Sequence, residues 1–430
     1  MSTSTRSTVR AGLAAASILA LAGAAILPGC GMGGGSSTSE HANVAKERMN
    51  QLKSATEWDL AQQAFLAGDL DKAIEKVDTS LKLNPQVAKS HVLRGRILLE
   101  QGAMGEALDS LETAEAIDPT NIDARYFQGI IYERLTDREN ALVQYQAVAE
   151  LDQSNAQYVI AVAEVMVDLG RVEEADEYLE GLGSRFEHSP GVRQTQGYLA
   201  FMLDRPESAY EHFRDARLLA PDDQAIAEDL VRAQISTGRF AEAEYNLALL
   251  LSDEFNADRR DLKHLRSRCL LSVDRPMEAR ELLLDLTSGD EGASDVGAWI
   301  GLGQVAYRLQ DMARVRRSAA RLQAIAPQRH EGFLYSALWQ RDQGRFADAV
   351  KSTTEALKRK PDDFSSLTLR GLALVDLNKL EHARKTFEYT KTRYPKSETI
   401  ARALAAVELR QQEENAGFAS ANVPEEGEAN

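Results

Sequence analysis

Seven histidines and two cysteines are scattered through 430 residues, and their spacing decides what chemistry they could carry. No pair among His41, His91, His188, His212, His264, His330 and His382 has a metal-binding spacing such as H-E-x-x-H, and Cys30 and Cys269 form no C-x-x-C. There is no Walker loop to cradle a phosphate and no G-x-S-x-G elbow to raise a nucleophile. One string, Gly301-Leu302-Gly303-Gln304-Val305-Ala306, has the G-x-G-x-x-A spacing of a dinucleotide turn. Such a turn needs a strand before it and a helix after it, whereas the surrounding pattern puts this string inside a helix. The acidic pairs Glu173-Glu174 and Asp222-Asp223 could act as general acid and base. Both stand at predicted helix starts, where carboxylates complement the helix dipole and cap free N–H groups. Two cysteines are too few for a disulfide framework, and Cys269 reads as a small buried hydrophobe. The expectation is no catalytic residue, no metal and no cofactor.

The elements that carry these residues follow a beat. Ala73, Ala107, Ala141, Ala175, Ala209 and Ala243 are 34 residues apart; after two-residue insertions the same position holds Ala279 and Val315, then Ala349 and Ala383. Twelve residues before it stand Ala61, Gly95, Gly129, Ala163, Gly197, Ser267, Gly303, Ala337 and Gly371, with Val231 the one larger residue. Five before it stand Gly68, Gly102, Gly170, Gly238 and Gly344, with Asn378 last. Twelve after it stand Pro85, Pro119, Pro221, Pro327, Pro361 and Pro395. Gly or Asn tolerates the left-handed conformation that ends a helix, proline cannot continue one, and paired small residues let two helix axes approach. Each unit is therefore helix, tight turn, helix, turn, and a fixed period of this length signals a repeat architecture.

These residues resemble the tetratricopeptide repeat family, a helix-turn-helix unit of 34 residues. Gly129, Tyr132, Ala141 and Tyr145 fill the family's positions in the third unit, though Gln153 stands where proline is usual; Gly197, Ala209, Phe213, Ala216 and Pro221 fill them in the fifth. Ten units start at 54, 88, 122, 156, 190, 224, 260, 296, 330 and 364, covering 54–397. The resemblance implies an all-α solenoid, a right-handed superhelix closed by a C-terminal capping helix at 398–413. The stretch 41–53 is read as an N-terminal capping helix running into the first repeat. The residues 414–430 lack periodicity and are read as a disordered acidic tail. The departures Val231, Ser267 and Val315, with the insertions, imply longer inter-repeat loops in repeats six to eight.

Residues 1–29 have a different character. Arg6 and Arg10 precede an uncharged apolar run, Ala11 to Leu27, short for a spanning helix and suited to a signal-peptide core. Leu27-Pro28-Gly29-Cys30 resembles a bacterial lipobox, in which the cysteine becomes the new N-terminus and its thiol takes a diacylglycerol as a thioether. Pro28 is unusual within that motif. Cys30 is the expected lipidation site, and 30–40 adds a Gly/Ser tether. With Gly rather than Asp at 31, the expected location is a bacterial cell envelope, at the periplasmic face of the outer membrane. The net charge of −16, or −18 without Arg6 and Arg10, disfavours nucleic acid and anionic headgroups and favours basic partners.

By family analogy the groove of such a solenoid is lined by the second, fifth, ninth, twelfth and thirteenth residues of each unit. At these positions stand Trp58, Phe65, Val92, Tyr126, Ile130, Ile160, Tyr198 and Phe201, with Arg96 among the charged members. A run of large apolar groups there would receive an extended peptide or an amphipathic helix. The resemblance thus implies a non-enzymatic scaffold with protein partners and no small-molecule substrate. It would be membrane-anchored through the N-terminal lipid and would serve assembly of a pilus, outer-membrane or wall machinery. A secretion or exopolysaccharide-export component is an alternative, and an enzyme with its site in the groove a remote one.

Overall fold

Alternating 13- and 14-residue helices follow from the repeat, and the computed structural model describes residues 37–421. The first helices of the ten repeats are Ser37–Leu66, Ala88–Glu100, Ile122–Arg134, Ala156–Asp168, Pro190–Met202, Gln224–Ser236, Arg260–Ser272, Val296–Arg308, Glu331–Asp342 and Phe364–Asp376. Their partners are Leu70–Leu83, Met104–Ile117, Arg138–Leu151, Val172–Gly181, Pro206–Leu219, Phe240–Ser252, Pro276–Leu286, Met312–Ile325, Phe346–Arg359 and Leu380–Arg393. The helix Glu398–Ala421 follows, and no strand occurs among the described residues. The fold is an all-α solenoid. The chain divides into two compact units, one ending at Ala124 with repeats one and two, the other beginning at Arg125.

The core is built from size-matched positions. Ala73, Ala107, Ala141, Ala175, Ala209, Ala243, Ala279, Val315, Ala349 and Ala383 have no solvent exposure. Four residues later stand Val77, Leu111, Tyr145, Leu179, Phe213, Leu247, Leu283, Ala319, Thr353 and Phe387, also buried. Their bulk complements the small residue sixteen positions earlier. A Cβ on Gly129 would sit 2.5 Å from Tyr145, one on Gly197 2.7 Å from Phe213, and one on Gly371 2.4 Å from Phe387. Repeat eight breaks the pattern, since Ala319 is too small to fill the space over Gly303. Tyr335 of repeat nine fills it instead: its ring lies 2.2 Å from where a Gly303 Cβ would be, and its hydroxyl donates to the Ile300 carbonyl at 2.7 Å. The string containing Gly301 and Gly303 is therefore packing surface within Val296–Arg308.

The tight turn inside every repeat uses one left-handed residue. Gly68, Gly102, Gly170, Gly238 and Gly344 have φ between 71° and 80°, and Asn378 has 56°. The other four repeats put Thr136, Asp204, Asp274 and Gln310 in the same conformation, with φ of 61°, 55°, 60° and 57°. The turn's hydrogen bonds hold them there: in repeat three, Asp137 N–H donates to the Tyr132 carbonyl at 2.8 Å, bridging over Thr136.

Three features differ from the sequence reading. The first helix begins at Ser37, inside the stretch read as tether. The last helix runs to Ala421 rather than ending at 413, through an alanine-containing stretch with no proline before Pro424. The second insertion forms a six-residue helix, Gly289–Ser294, rather than a plain loop; Trp299 Nε1–H donates to its Gly292 carbonyl at 3.0 Å. The first insertion is a loop, 253–259, in which Asn256 is buried and donates to Gln224 at 3.1 Å while Phe255 is exposed.

Candidate functional site

The residues expected to line a groove have several fates. Val92 is buried and offers no surface, a correction that follows from its place in a well-packed first helix. Trp58 is half-buried; its Nε1–H donates to the Lys89 carbonyl at 3.3 Å and the Lys89 ammonium stands 4.0 Å from its ring centre. Phe65 packs beside the core of the first unit with the Arg96 guanidinium 5.2 Å above its ring. In the second unit, Tyr126 joins an aromatic cluster with Phe127, Tyr145 and Tyr158, at 5.7, 5.8 and 5.5 Å between centroids. Ile130 packs against the same core, and Phe201 rests on Phe213 at 5.5 Å. Cys30 lies outside the described residues.

Ile160 and Tyr198 belong to an open cleft of about 590 Å³ in the second unit, formed by the first helices of repeats three, four and five. Its lining is Glu133; Gln157, Ile160, Glu164, Val167 and Asp168; and Gly191, Gln194, Thr195, Tyr198, Leu199 and Met202. All but Thr195 and Leu199 occupy the second, fifth, ninth, twelfth or thirteenth position of their repeat. Glu133, Glu164, Asp168 and Met202 were not among the residues named from the sequence, which apart from Arg96 were large and apolar. The same positional arithmetic, applied to every residue type, finds them.

The cleft has a fixed wall and an acidic rim. Tyr198 is 41 % exposed and Met202 58 %, so both present apolar surface to solvent. Tyr198 is held from behind by Asp229, itself buried, which accepts hydrogen bonds from the Tyr198 hydroxyl, from Gln194 Nε2 at 2.8 Å and from Arg232 at 2.9 Å. Burial, reinforced by that bond and by the negative charge, pushes the Tyr198 hydroxyl up to about 12, so it remains a neutral donor. Glu133 accepts a hydrogen bond from Tyr145, whose ring occupies the space left by Gly129. Core packing therefore positions a carboxylate at the rim. Desolvation on the cleft wall, then the like charges of Glu133 and Asp168, hold the Glu164 carboxyl above its ordinary range. Asp168 is approached by Arg138 at 3.4 Å, while no Lys, Arg or His lines the cleft.

The other residues singled out by type are structural. Asp223 caps the helix Gln224–Ser236, accepting from Ala225 and Ile226 N–H at 2.9 and 3.2 Å, and Glu173 and Glu174 lie in the first turn of theirs. Cys269 is fully buried, and burial pushes its thiol up to about 11, which suppresses the nucleophilic thiolate. Among the described residues no group of three or more His, Cys, Asp or Glu converges as a metal site, and no helix is long and apolar enough to cross a membrane.

The tetratricopeptide repeat family matches residues 59–122 and 337–398. The chain carries tetratricopeptide repeats. It is similar to DnaJ homolog subfamily C member 3 of Gallus gallus, 26 % identical over 141 residues, which is 32 % of this chain and 28 % of that protein. The chain thus spans under a third of that relative's length. Among solved structures it is similar to a tetratricopeptide repeat protein of Parabacteroides merdae, at 18 % identity and a TM-score of 0.41, covering 54 % of this chain and 92 % of that one. It is likewise similar to Pseudomonas aeruginosa pilF, at 18 % identity and a TM-score of 0.38, covering 46 % and 90 %. Tetratricopeptide repeats are protein–protein interaction scaffolds, and their groove takes protein partners. In this one the largest apolar groups on the groove-type positions are divided between core packing and the cleft around Tyr198.

Proposed function

We propose that this chain is a lipid-anchored, non-enzymatic scaffold that holds protein partners during assembly of a bacterial envelope complex. The observation that carries the binding reading is the cleft built on groove positions of repeats three to five, where Tyr198 is pinned by Asp229 yet keeps an exposed face. A rigid aromatic beside an exposed methionine offers contact area at low entropy cost. Location rests on sequence: the apolar run 11–27, the lipobox-like Leu27-Pro28-Gly29-Cys30 and the Gly/Ser stretch behind it. A diacylated, N-acylated cysteine would supply the chains that stable anchoring requires, and Gly31 favours the periplasmic face of the outer membrane.

Two experiments test the two halves. Growth with a palmitate analogue should label the wild-type chain and leave Cys30→Ser unlabelled; label on the variant ends the lipid-anchor reading. Capture from envelope membranes should recover partner proteins with the wild type and lose them with Ile160→Glu plus Tyr198→Glu, at unchanged helix content by circular dichroism. Recovery that is indifferent to this pair moves binding to another face.

A further inference from the structure

We propose that the cleft selects a cationic amphipathic segment of the partner, seating a Lys or Arg among Glu133, Glu164 and Asp168 and an apolar edge on Ile160, Tyr198 and Met202. This rests on the binding reading above and names the chemistry of what is bound. The occupant is chosen by charge complementarity. Three carboxylates lie on the lining and no cationic side chain does; Ile160 shares the helix Ala156–Asp168 with Glu164 and Asp168, and Tyr198 and Met202 stand on the facing helix Pro190–Met202. An acidic or neutral segment would bring carboxylates or bare amides against that rim; a cationic one neutralises it.

The rim is also built rather than incidental. Glu133 is held by the Tyr145 hydroxyl, and Tyr145 is seated over Gly129 in the repeat core, so this carboxylate is oriented before any ligand arrives. Glu164 shares the cleft lining with Glu133 and Asp168, where partial burial and then their like charges disfavour its ionised form, a cost that a bound cation relieves. Asp168 is met by Arg138 at 3.4 Å, a pair whose side chains are both well exposed, so that a ligand cation can compete for this carboxylate.

The test titrates the full chain against a fluorescein-labelled 14-residue leucine–lysine amphipathic helix and against its leucine–glutamate counterpart, by anisotropy. The lysine peptide should bind and the glutamate peptide should not, with affinity falling as salt rises. Glu164→Gln with Asp168→Asn should weaken binding about tenfold. The charge-matched pair Glu173→Gln with Glu177→Gln, both exposed on the neighbouring helix Val172–Gly181, should change it by less than about twofold. Equal loss from both pairs would mean that net charge alone attracts the peptide, and overturns the proposal. Binding of the glutamate peptide overturns the cation preference but leaves the cleft as a binding surface. Binding of neither peptide overturns the proposal, and the membrane-capture experiment then judges the binding reading separately.

Discussion

Gly129 has no Cβ, and the ring of Tyr145 occupies the space where one would be, 2.5 Å away. Gly129→Ala should therefore cost about 1–3 kcal/mol by overpacking, read from urea unfolding. Gly105, also helical but with nothing within 4 Å of its would-be Cβ, should gain up to about 1 kcal/mol from the same substitution. Thr136 is the converse case, a β-branched residue held at φ 61°. Thr136→Gly removes a left-handed penalty of about 1–2 kcal/mol and adds some unfolded-chain entropy, for a net gain of about 0.5–1 kcal/mol. Glu164 carries the functional counterpart. Its folded carboxyl titrates above the ordinary value, so its favourable contribution is present at low pH and lost as pH rises through the folded value. Glu164→Gln should thus raise the melting temperature at pH 7 while weakening the lysine peptide; a variant that is both less stable and unchanged in binding contradicts that assignment.

Helices and turns were legible because the repeat writes them several times over. The alanine, small-residue and proline positions recur, so one ambiguous unit is corrected by its neighbours. The left-handed turns at Thr136 and Gln310 were less legible, because no residue-type preference marks them and only register with Gly68 and Gly102 does; Asp204 and Asp274 carry the weaker left-handed tolerance of Asp. Tyr335 filling the space above Gly303 was invisible for a different reason: it comes from the next repeat, 32 residues away, not from the usual partner sixteen away. The cleft was half legible. Position numbers lead to its lining, but a hydrophobicity filter chose Val92, which is buried, and passed over Glu164 and Met202. Between repeats nine and ten, Asp363 joins elements: it caps Phe364–Asp376 through Ser366 N–H at 2.8 Å and meets His330 at 3.2 Å. Burial pushes its carboxyl up, but the Ser366 hydrogen bonds, the neighbouring His330 and the Lys360 hydrogen bond outweigh this and hold it below its ordinary value. Its contribution is therefore present above the ordinary value and lost as pH falls through the depressed one. Asp363→Asn should lower stability at pH 7 and flatten the acid limb of a stability–pH curve. The final helix is a second test at this scale. Ile400, Leu404 and Val407 cover Leu380 and Phe387, and at about 1.5–3 kcal/mol per buried side chain, Ile400→Glu should unfold repeat ten first, seen as local loss of amide protection.

At the scale of the whole molecule, the second unit is a long ribbon of core with its chemistry on one face. A net charge of −16 biases the whole chain toward basic partners, but charge spread over 430 residues gives no address on the surface. The address comes from the cleft, where apolar exposure and three carboxylates coincide on first-helix positions with no cationic side chain on the lining. The measurement that tests this most directly places a photocrosslinking amino acid at Met202, inside the cleft, or at Tyr245, more exposed still on the second helix of repeat six, in cells bearing the full chain. The account predicts discrete adducts from position 202 that disappear with Glu164→Gln plus Asp168→Asn, and none from 245. Adducts from position 245 with none from 202 would contradict it.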